Sequence, residues 1–407
     1  MHTSLPIIRH EEISAQSGMV VAQHVTAAQI GVEVLRRGGN AVDSAVSTAF
    51  ATGVLLPIWN GIGGGGLMTV HFNGGDGGTI DFGMQAPGLA HAEMYDLEDE
   101  QDVQGPSRRF SWMKVKNNAN TEGYTSIAIP GTVAGLSTAL EKWGTIDLDQ
   151  AVAPAVKLAR DGFPLPRTVA LSLSERHALL SRFSTTADVY LNNGSPLSAG
   201  SHFVQSEYAR TLERLGRVGA SELYGGETGA CIAEDVEQNG GYLRLSDFEQ
   251  YQPIVRDQVL SGTYRGVGIS AVTGPCAGPT VLEILNILEQ FDIAAMGHGT
   301  VDFLHTIIEA IKLSAVDRFS FMGDPAVYGF PIDVLAGAEY AISRAAEIDS
   351  SIAKVFPEGD PWSCVGMEKP DAFPEPAGGS PDDGTTSLAT VDKDGNMVES
   401  GDVKAEA

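Results

Sequence analysis

The chain has 407 residues, 43% of them apolar, and its 52 acidic side chains outnumber 26 basic ones to give a net charge of -26. That length and composition allow a substantial buried core in a soluble globular protein. The acidic surface disfavours nucleic acid and anionic membrane as partners, because both would be repelled.

Cys231, Cys276 and Cys364 are odd in number, widely spaced and outside any CxxC, and the nine histidines show no HExxH spacing. Neither a disulfide framework nor a metal site is expected, and no organic cofactor is implied. The opening residues show no basic stretch followed by a long apolar one, so no secretory signal is readable and a cytoplasmic location is the expectation. No apolar run reaches the roughly 18 residues of a membrane-spanning helix.

In chain order, apolar residues at helical spacing from Thr26 to Arg37, with basic residues in the last turn and Gly38-Gly39 after them, predict a capped helix. A second helix rich in small residues runs from about Ala41 to about Val54. Leu67 to Phe72 and Gly78 to Phe82 read as strands joined by a glycine-rich turn. The polar, aperiodic stretch from about Glu93 to Glu122 reads as an inserted surface loop, and Ser126 to Gly135 as a strand turning into a helix.

Further helices are expected at about Thr132 to Trp143, Leu148 to Asp161, Glu207 to Leu215, Thr280 to Gln290 and Thr300 to Phe321, with an acidic helix start at Ser246-Asp247-Phe248. Val255 to Leu260 and Tyr264 to Val272 read as strands. Pro357 to Gly384 is rich in Pro, Gly and Asp and reads as a linker. Beyond it, Ser387 to Asp392 and Asn396 to Val398 flank Lys393-Asp394-Gly395, a compact hairpin signal. The whole predicts an α/β fold with its strands near the two ends of the chain.

Residue chemistry isolates one site. Gly384-Thr385 is a small-residue junction between linker and strand, so cutting that bond would make Thr385 an N-terminus. A terminal threonine carries a nucleophilic hydroxyl and, in its own α-amine, a general base of near-neutral pKa. An ordinary linker-to-strand boundary has the same composition.

Seven blocks in order carry a resemblance. They are Gly38 to Val46, Gly63 to Met68, Pro130 to Gly135, Leu158 to Phe163, Ser261 to Gly266, Asp317-Arg318 with Gly323-Asp324-Pro325, and Gly384-Thr385-Thr386 through Asn396. From about Gly18 to about Val398 the chain closely resembles γ-glutamyltranspeptidases. The resemblance implies an αββα N-terminal-nucleophile hydrolase made as a precursor, and cleavage at Gly384-Thr385. It divides the chain into a large-subunit region, 1–384, with 357–384 as linker, and the start of a small catalytic subunit, 385–407. It implies an acyl-enzyme on Thr385, with Thr386 supporting the site, and small amides such as glutathione as substrates.

Three departures bear on that expectation. The family typically shows Asp-x-Arg-x-x-Ala-Pro, the arginine holding the substrate's α-carboxylate, whereas this chain has Asp81-Phe82-Gly83-Met84-Gln85-Ala86-Pro87. Glycine cannot form that bidentate pair, and an unreplaced arginine would cost about 2–5 kcal/mol. Arg108 or Arg109 is a candidate substitute, and another small acyl amide is an alternative substrate. Second, Cys276 stands where relatives show a serine-containing turn, and a turn role is expected of it. Third, after Val398 the family continues into a long catalytic segment with its oxyanion donors, worth about 3–4 kcal/mol, while here nine residues follow. The sandwich is therefore expected to be truncated and the chain alone inactive. A separately encoded small subunit, or a non-catalytic fragment needing a partner chain, are the readings that follow.

Gly61 to Gly66 lacks a P-loop's Lys-Ser/Thr and reads as a tight turn beside the site. Asp43 and Asp81 read as hydrogen-bonding groups rather than an acid-base pair. Asn193-Gly194-Ser195 reads as a turn.

Overall fold

Segments from the two ends of the chain meet in one sheet. The computed structural model describes residues 13–75, 77–99, 103–104, 112–274, 276–324, 332–368 and 385–404. Six strands, β1 (Gly18–Ala22), β2 (Gly64–His71), β3 (Gly78–Phe82), β4 (Ile254–Arg256), β5 (Thr386–Asp392) and β6 (Met397–Lys404), line up as β1-β5-β6-β2-β3-β4. Every neighbouring pair is antiparallel. The β5–β6 hairpin thus lies inside the sheet, between β1 and β2, although it comes last in sequence.

Alternation explains the faces. Along β5, Thr386, Leu388, Thr390 and Asp392 are buried while Ser387 and Ala389 are exposed, the period-two pattern of a strand with one covered face. The covered face packs on α2 (Ala41–Leu55), every residue of which is buried. Its small side chains let neighbours approach closely. Gly31, in α1 (Val25–Arg36), shows the limit, because a Cβ there would stand 2.3 Å from Thr48 Oγ1 and 2.9 Å from Ser44 Oγ.

α2 begins in a capping box, with Asn40 accepting from the Val42 and Asp43 amides and Asp43 accepting from Asn40 N at 2.8 Å. The same Asp43 carboxylate accepts from Thr145 N and Thr145 Oγ1, tying down the chain between α3 (Thr132–Trp143) and α4 (Leu148–Asp161). Helix α5 (Ser206–Val218) packs on α4 and extends the same continuous core.

A second lobe follows β4. It holds the hairpin Leu260–Tyr264 with Val267–Ala271 and the helices α6 (Ala277–Leu288), α7 (Val301–Phe321) and α8 (Ala338–Ala345). Its own apolar clusters centre on Ile287, Leu313, Ala341 and Phe356, and on Phe321, Tyr340 and Trp362. A buried ion pair lies among them, with Arg344 Nε 2.9 Å from Asp317 Oδ2.

Several expectations change in the structure. Gly64 to Gly66 lie inside β2 rather than in a turn. A Cβ on Gly65 would come 2.7 Å from both Met84 N and Phe82 O, so glycine here permits close packing of β3's exit. The predicted strand from Ser126 is absent: Tyr124–Ser126 is a 3-10 turn, and Ile129 makes a single bridge to Gln85. Residues 357–368 of the predicted linker pack instead, because Trp362 is buried with its ring edge-on to Phe321 at 5.0 Å. Residues 369–384 of the linker lie outside the described residues. Asn193 and Gly194, both at positive φ, form the turn of a small hairpin.

Among the described residues, helices cover one face of the sheet, while Val21, Ser387, Ala389 and Glu399 stand exposed on the other. The second sheet of an αββα sandwich is not among them. No helix of the described residues is long and apolar enough to cross a membrane.

Candidate active site

Thr385 stands exposed at the residue before β5, and its carbonyl accepts from Gln23 Nε2 at 2.9 Å. Its neighbour is the opposite case. Thr386 is 2% exposed, and its Oγ1 accepts from Asn60 Nδ2 at 2.8 Å. The alternation that buries Thr386 therefore turns Thr385 to the open side. Asn60 follows α2, its backbone N donating to Leu56 O at 3.2 Å, and it also lines a cleft of about 630 Å³ with Gly61, Gly63, Gln205 and Tyr208. Gly384, the other half of the expected cleavage site, lies outside the described residues.

Two more residues of β5 hold the strand against α2. Thr390 Oγ1 donates to Ala41 O at 2.8 Å, and Asp392 Oδ2 accepts from Ala41 N at 3.1 Å. Asp392 also accepts from the Asp394 and Asn396 amides and shapes the β5–β6 turn.

The register places Gly83 at the same end of the sheet as Thr385. Thr386 pairs with Asp402, Asp402 with Gly66, and Gly66 with Phe82. One residue further out, Thr385 precedes β5 and Gly83 follows β3. With strands about 4.8 Å apart, three steps separate them by roughly 14–15 Å. Asp81 Oδ1 accepts from Gly83 N at 3.0 Å, and Tyr251 Oη donates to Gly83 O at 2.9 Å. Burial, then the charge of Asp81, pushes the Tyr251 hydroxyl pKa up, so it stays a neutral donor.

Asp43 and Asp81 do not form a pair, since Asp43 serves Asn40 and Thr145 while Asp81 serves Gly83 and faces Arg256. Cys276 precedes α6 and donates Sγ–H to Val272 O at 3.3 Å, and burial raises its thiol pKa. A buried, protonated thiol is a poor nucleophile. Arg108 and Arg109 lie outside the described residues. No group of three or more His, Cys, Asp or Glu suited to a metal ion occurs among the described residues.

Sequence reasoning missed Asn60, Gln23, Tyr251 and Arg256. Each comes to the site through strand pairing or a long-range bond that no local motif announces.

The family model described as gamma-glutamyltranspeptidase matches residues 27–400. The chain belongs to the gamma-glutamyltranspeptidase family. Among relatives, it is 34% identical over 388 residues to the glutathione hydrolase proenzyme of Escherichia coli (strain K12), covering 95% of this chain and 62% of that one. It is also 34% identical over 387 residues to the acylase ACY 1 proenzyme of Pseudomonas sp. (strain SE83), covering 95% and 65%. The chain thus spans under two thirds of the length of these two relatives.

Among solved structures, Helicobacter pylori gamma-glutamyltranspeptidase superposes with a TM-score of 0.79 at 30% identity, covering 85% of this chain and 97% of that one. Cephalosporin acylase from Bacillus halodurans gives 0.81 at 25% identity, covering 100% and 69%. The chain is therefore similar both to proteins named for glutathione and to proteins named as acylases.

Proposed function

We propose that this chain is the large-subunit region, 1–384, and the beginning of the small subunit, from Thr385, of a self-cleaving proenzyme that hydrolyses or transfers the acyl group of a small amide. The single observation that carries this reading is the pairing of an exposed Thr385 with an anchored, buried Thr386 at the head of the central hairpin.

In maturation, Thr385 Oγ attacks the Gly384 carbonyl carbon. The Oγ–C bond forms as the C–N bond breaks, and the proton passes to the departing nitrogen. Water then hydrolyses the ester to leave a Gly384 carboxylate and a free amine on Thr385. In turnover, that amine, with an ordinary pKa of about 7.7–8.0, takes the hydroxyl proton as Oγ attacks the substrate amide. It returns the proton to the leaving amine. The ester formed on Thr385 passes to water or to an acceptor amine. Thr386 acts indirectly, because its bond to Asn60 fixes where Thr385 stands. The open face of the sheet is where a further β layer, on this chain or a separate small subunit, would pack.

Glutathione-type γ-glutamyl amides are the first substrate class, supported by the family. A second reading, an amidohydrolase of another acyl amide, is favoured by Gly83 in place of the family's arginine and by the acylase relatives.

The deciding experiment is intact-mass analysis of purified protein over time, carried out on the full-length protein and on its Thr385→Ala variant. A fragment beginning at Thr385 in the first and absent from the second is the expected result. Equal cleavage in both would refute the assignment.

A further inference from the structure

Gly83 leaves open space. A Cβ built there meets a single atom within 4 Å, Asp81 Oδ1 at 3.2 Å. No side chain reaches from this position toward Thr385, so the region between them is deeper than an arginine would leave it.

The basic side chain beside Asp81 is Arg256. Arg256 lies on β4 opposite Thr79, and Thr79 and Asp81 share a face of β3, so Arg256 and Asp81 project to the same side. Arg256 Nη1 is 4.0 Å from Asp81 Oδ2, too far for a hydrogen bond, and that nitrogen is buried with no hydrogen-bond partner among the described residues. Asp81 has already committed Oδ1 to Gly83 N. A buried charged donor left unmatched is costly, and a ligand oxygen would relieve it.

The Cys276 thiol, its pKa raised chiefly by burial, also feels the charges of Asp81, Arg318 and Arg256. The chain ahead of α6 comes close to the same corner, since a Cβ on Gly274 would lie 3.8 Å from Asp81 Oδ2. A buried guanidinium nitrogen without a hydrogen-bond partner among the described residues, beside a carboxylate that does not reach it, leaves a site that favours a further anion.

We propose that Arg256 is the specificity-determining anchor of this site, binding a carboxylate at the far end of a substrate acyl chain longer than glutamyl. This rests on the acyl-transfer reading above. Arg256 lies one strand beyond β3 and opposite Thr79, four residues back along β3 from Gly83, so a cation based there stands farther from Thr385 than one carried by a side chain at position 83. An extended acyl chain needs several more methylenes to span that gap. The substrate class is the monoamide of a long aliphatic dicarboxylic acid, with Arg256 gripping its free carboxylate as a guanidinium fork.

The test is calorimetric titration of the purified full chain with suberate, with the shorter glutarate, and with neutral suberamide. Suberate is expected to bind at least about tenfold more tightly than glutarate, and suberamide not measurably. Arg256→Gln should lose at least about tenfold of the suberate affinity while melting like the wild type. Asp81→Asn, which removes the competing carboxylate, should gain affinity severalfold, a direction that a purely structural role for this corner would not produce.

Suberate binding unchanged in Arg256→Gln overturns the assignment, as does a wild type that prefers glutarate or binds neither acid. Should Arg256→Gln fail to fold, Arg256→Lys and the Asp81→Asn gain decide it: no loss in the first together with no gain in the second is equally fatal. Titration of uncleaved protein reads the anchor without turnover, so it decides the role of Arg256 even if Thr385 never cuts.

Discussion

Asn60 donates its side-chain amide to Thr386 Oγ1 at 2.8 Å, joining the turn after α2 to the head of β5 across 326 positions of sequence. Both residues are nearly fully buried, so the bond forms in a low-dielectric setting where losing the donor is costly. Asn60→Ala should destabilise the protein by about 1–3 kcal/mol and slow cleavage at Thr385. Urea unfolding measures the first and the cleavage time course the second. A variant matching the wild type in both would remove Asn60 from the site.

The buried ion pair of the second lobe secures the chain that leads toward the cleavage junction. Arg344 Nη2 donates to Asp317 Oδ1 at 3.2 Å and to Pro357 O at 3.1 Å, and Gly359 N donates to Asp317 Oδ1 at 2.8 Å. Arg344→Ala leaves the Asp317 charge buried without its cation, so a loss of about 3–5 kcal/mol is expected. Protease cutting within 357–368 should accelerate in parallel. The double variant Arg344→Met/Asp317→Asn should recover much of the loss, and failure to recover would show that packing rather than charge dominates.

Several helices were legible in sequence because each carries its own signal, whereas others, such as Glu227–Gln238 and Ala338–Ala345, were not read. Thr132–Trp143 and Leu148–Asp161 match their predicted bounds, the latter starting at a capping box of Asp147 with Gln150. The β5–β6 hairpin was legible for the same reason, in its alternation and its Asp394-Gly395 turn. The order of the sheet was not, because nothing local in β5 says that it pairs with β1, whose register joins Gly18 to Asp392. The glycine run at 63–66 was misread because composition cannot distinguish a turn from a strand that another backbone crowds. Thr385 stood out through the chemistry of a terminal threonine. Arg256 was hidden, since its meaning depends on which strand lies beside β3.

Gly131 joins the helical layer to the end of β3. A Cβ there would stand 1.9 Å from Phe82 O and 2.2 Å from Tyr251 Oη, and Gly131 N donates to Gly64 O at 2.8 Å. Gly131→Ala must push aside both the strand end and the tyrosine that holds Gly83 O. Overpacking of this kind costs about 1–3 kcal/mol, and displacement of Asp81 and Gly83 should weaken dicarboxylate binding as well. Denaturant melts with a suberate titration test this, and an alanine variant of native stability and affinity would show that β3 yields without consequence.

Glu283, 1% exposed on α6, gives the stability a defined dependence on pH. Burial, then the neighbouring Asp317 carboxylate, pushes its pKa well above the ordinary value, with Arg344 and Ser314 opposing. The unfolded chain releases this proton near pH 4.3, while the folded protein keeps it to higher pH. The folded state therefore binds more protons between those two values, and stability falls as pH rises through that window, by up to about 1.4 kcal/mol per pH unit. Below about pH 4.3 the contribution is complete; above the folded pKa no further loss occurs. Glu283→Gln keeps the shape and the donor of the protonated acid without the titration. The stability of the variant relative to wild type should change little with pH in acid, rise as pH passes through that window, and level off above the folded pKa. Urea midpoints of the two proteins collected across that range give the comparison, and parallel curves would mean that Glu283 ionises in the folded protein as it does in the unfolded chain.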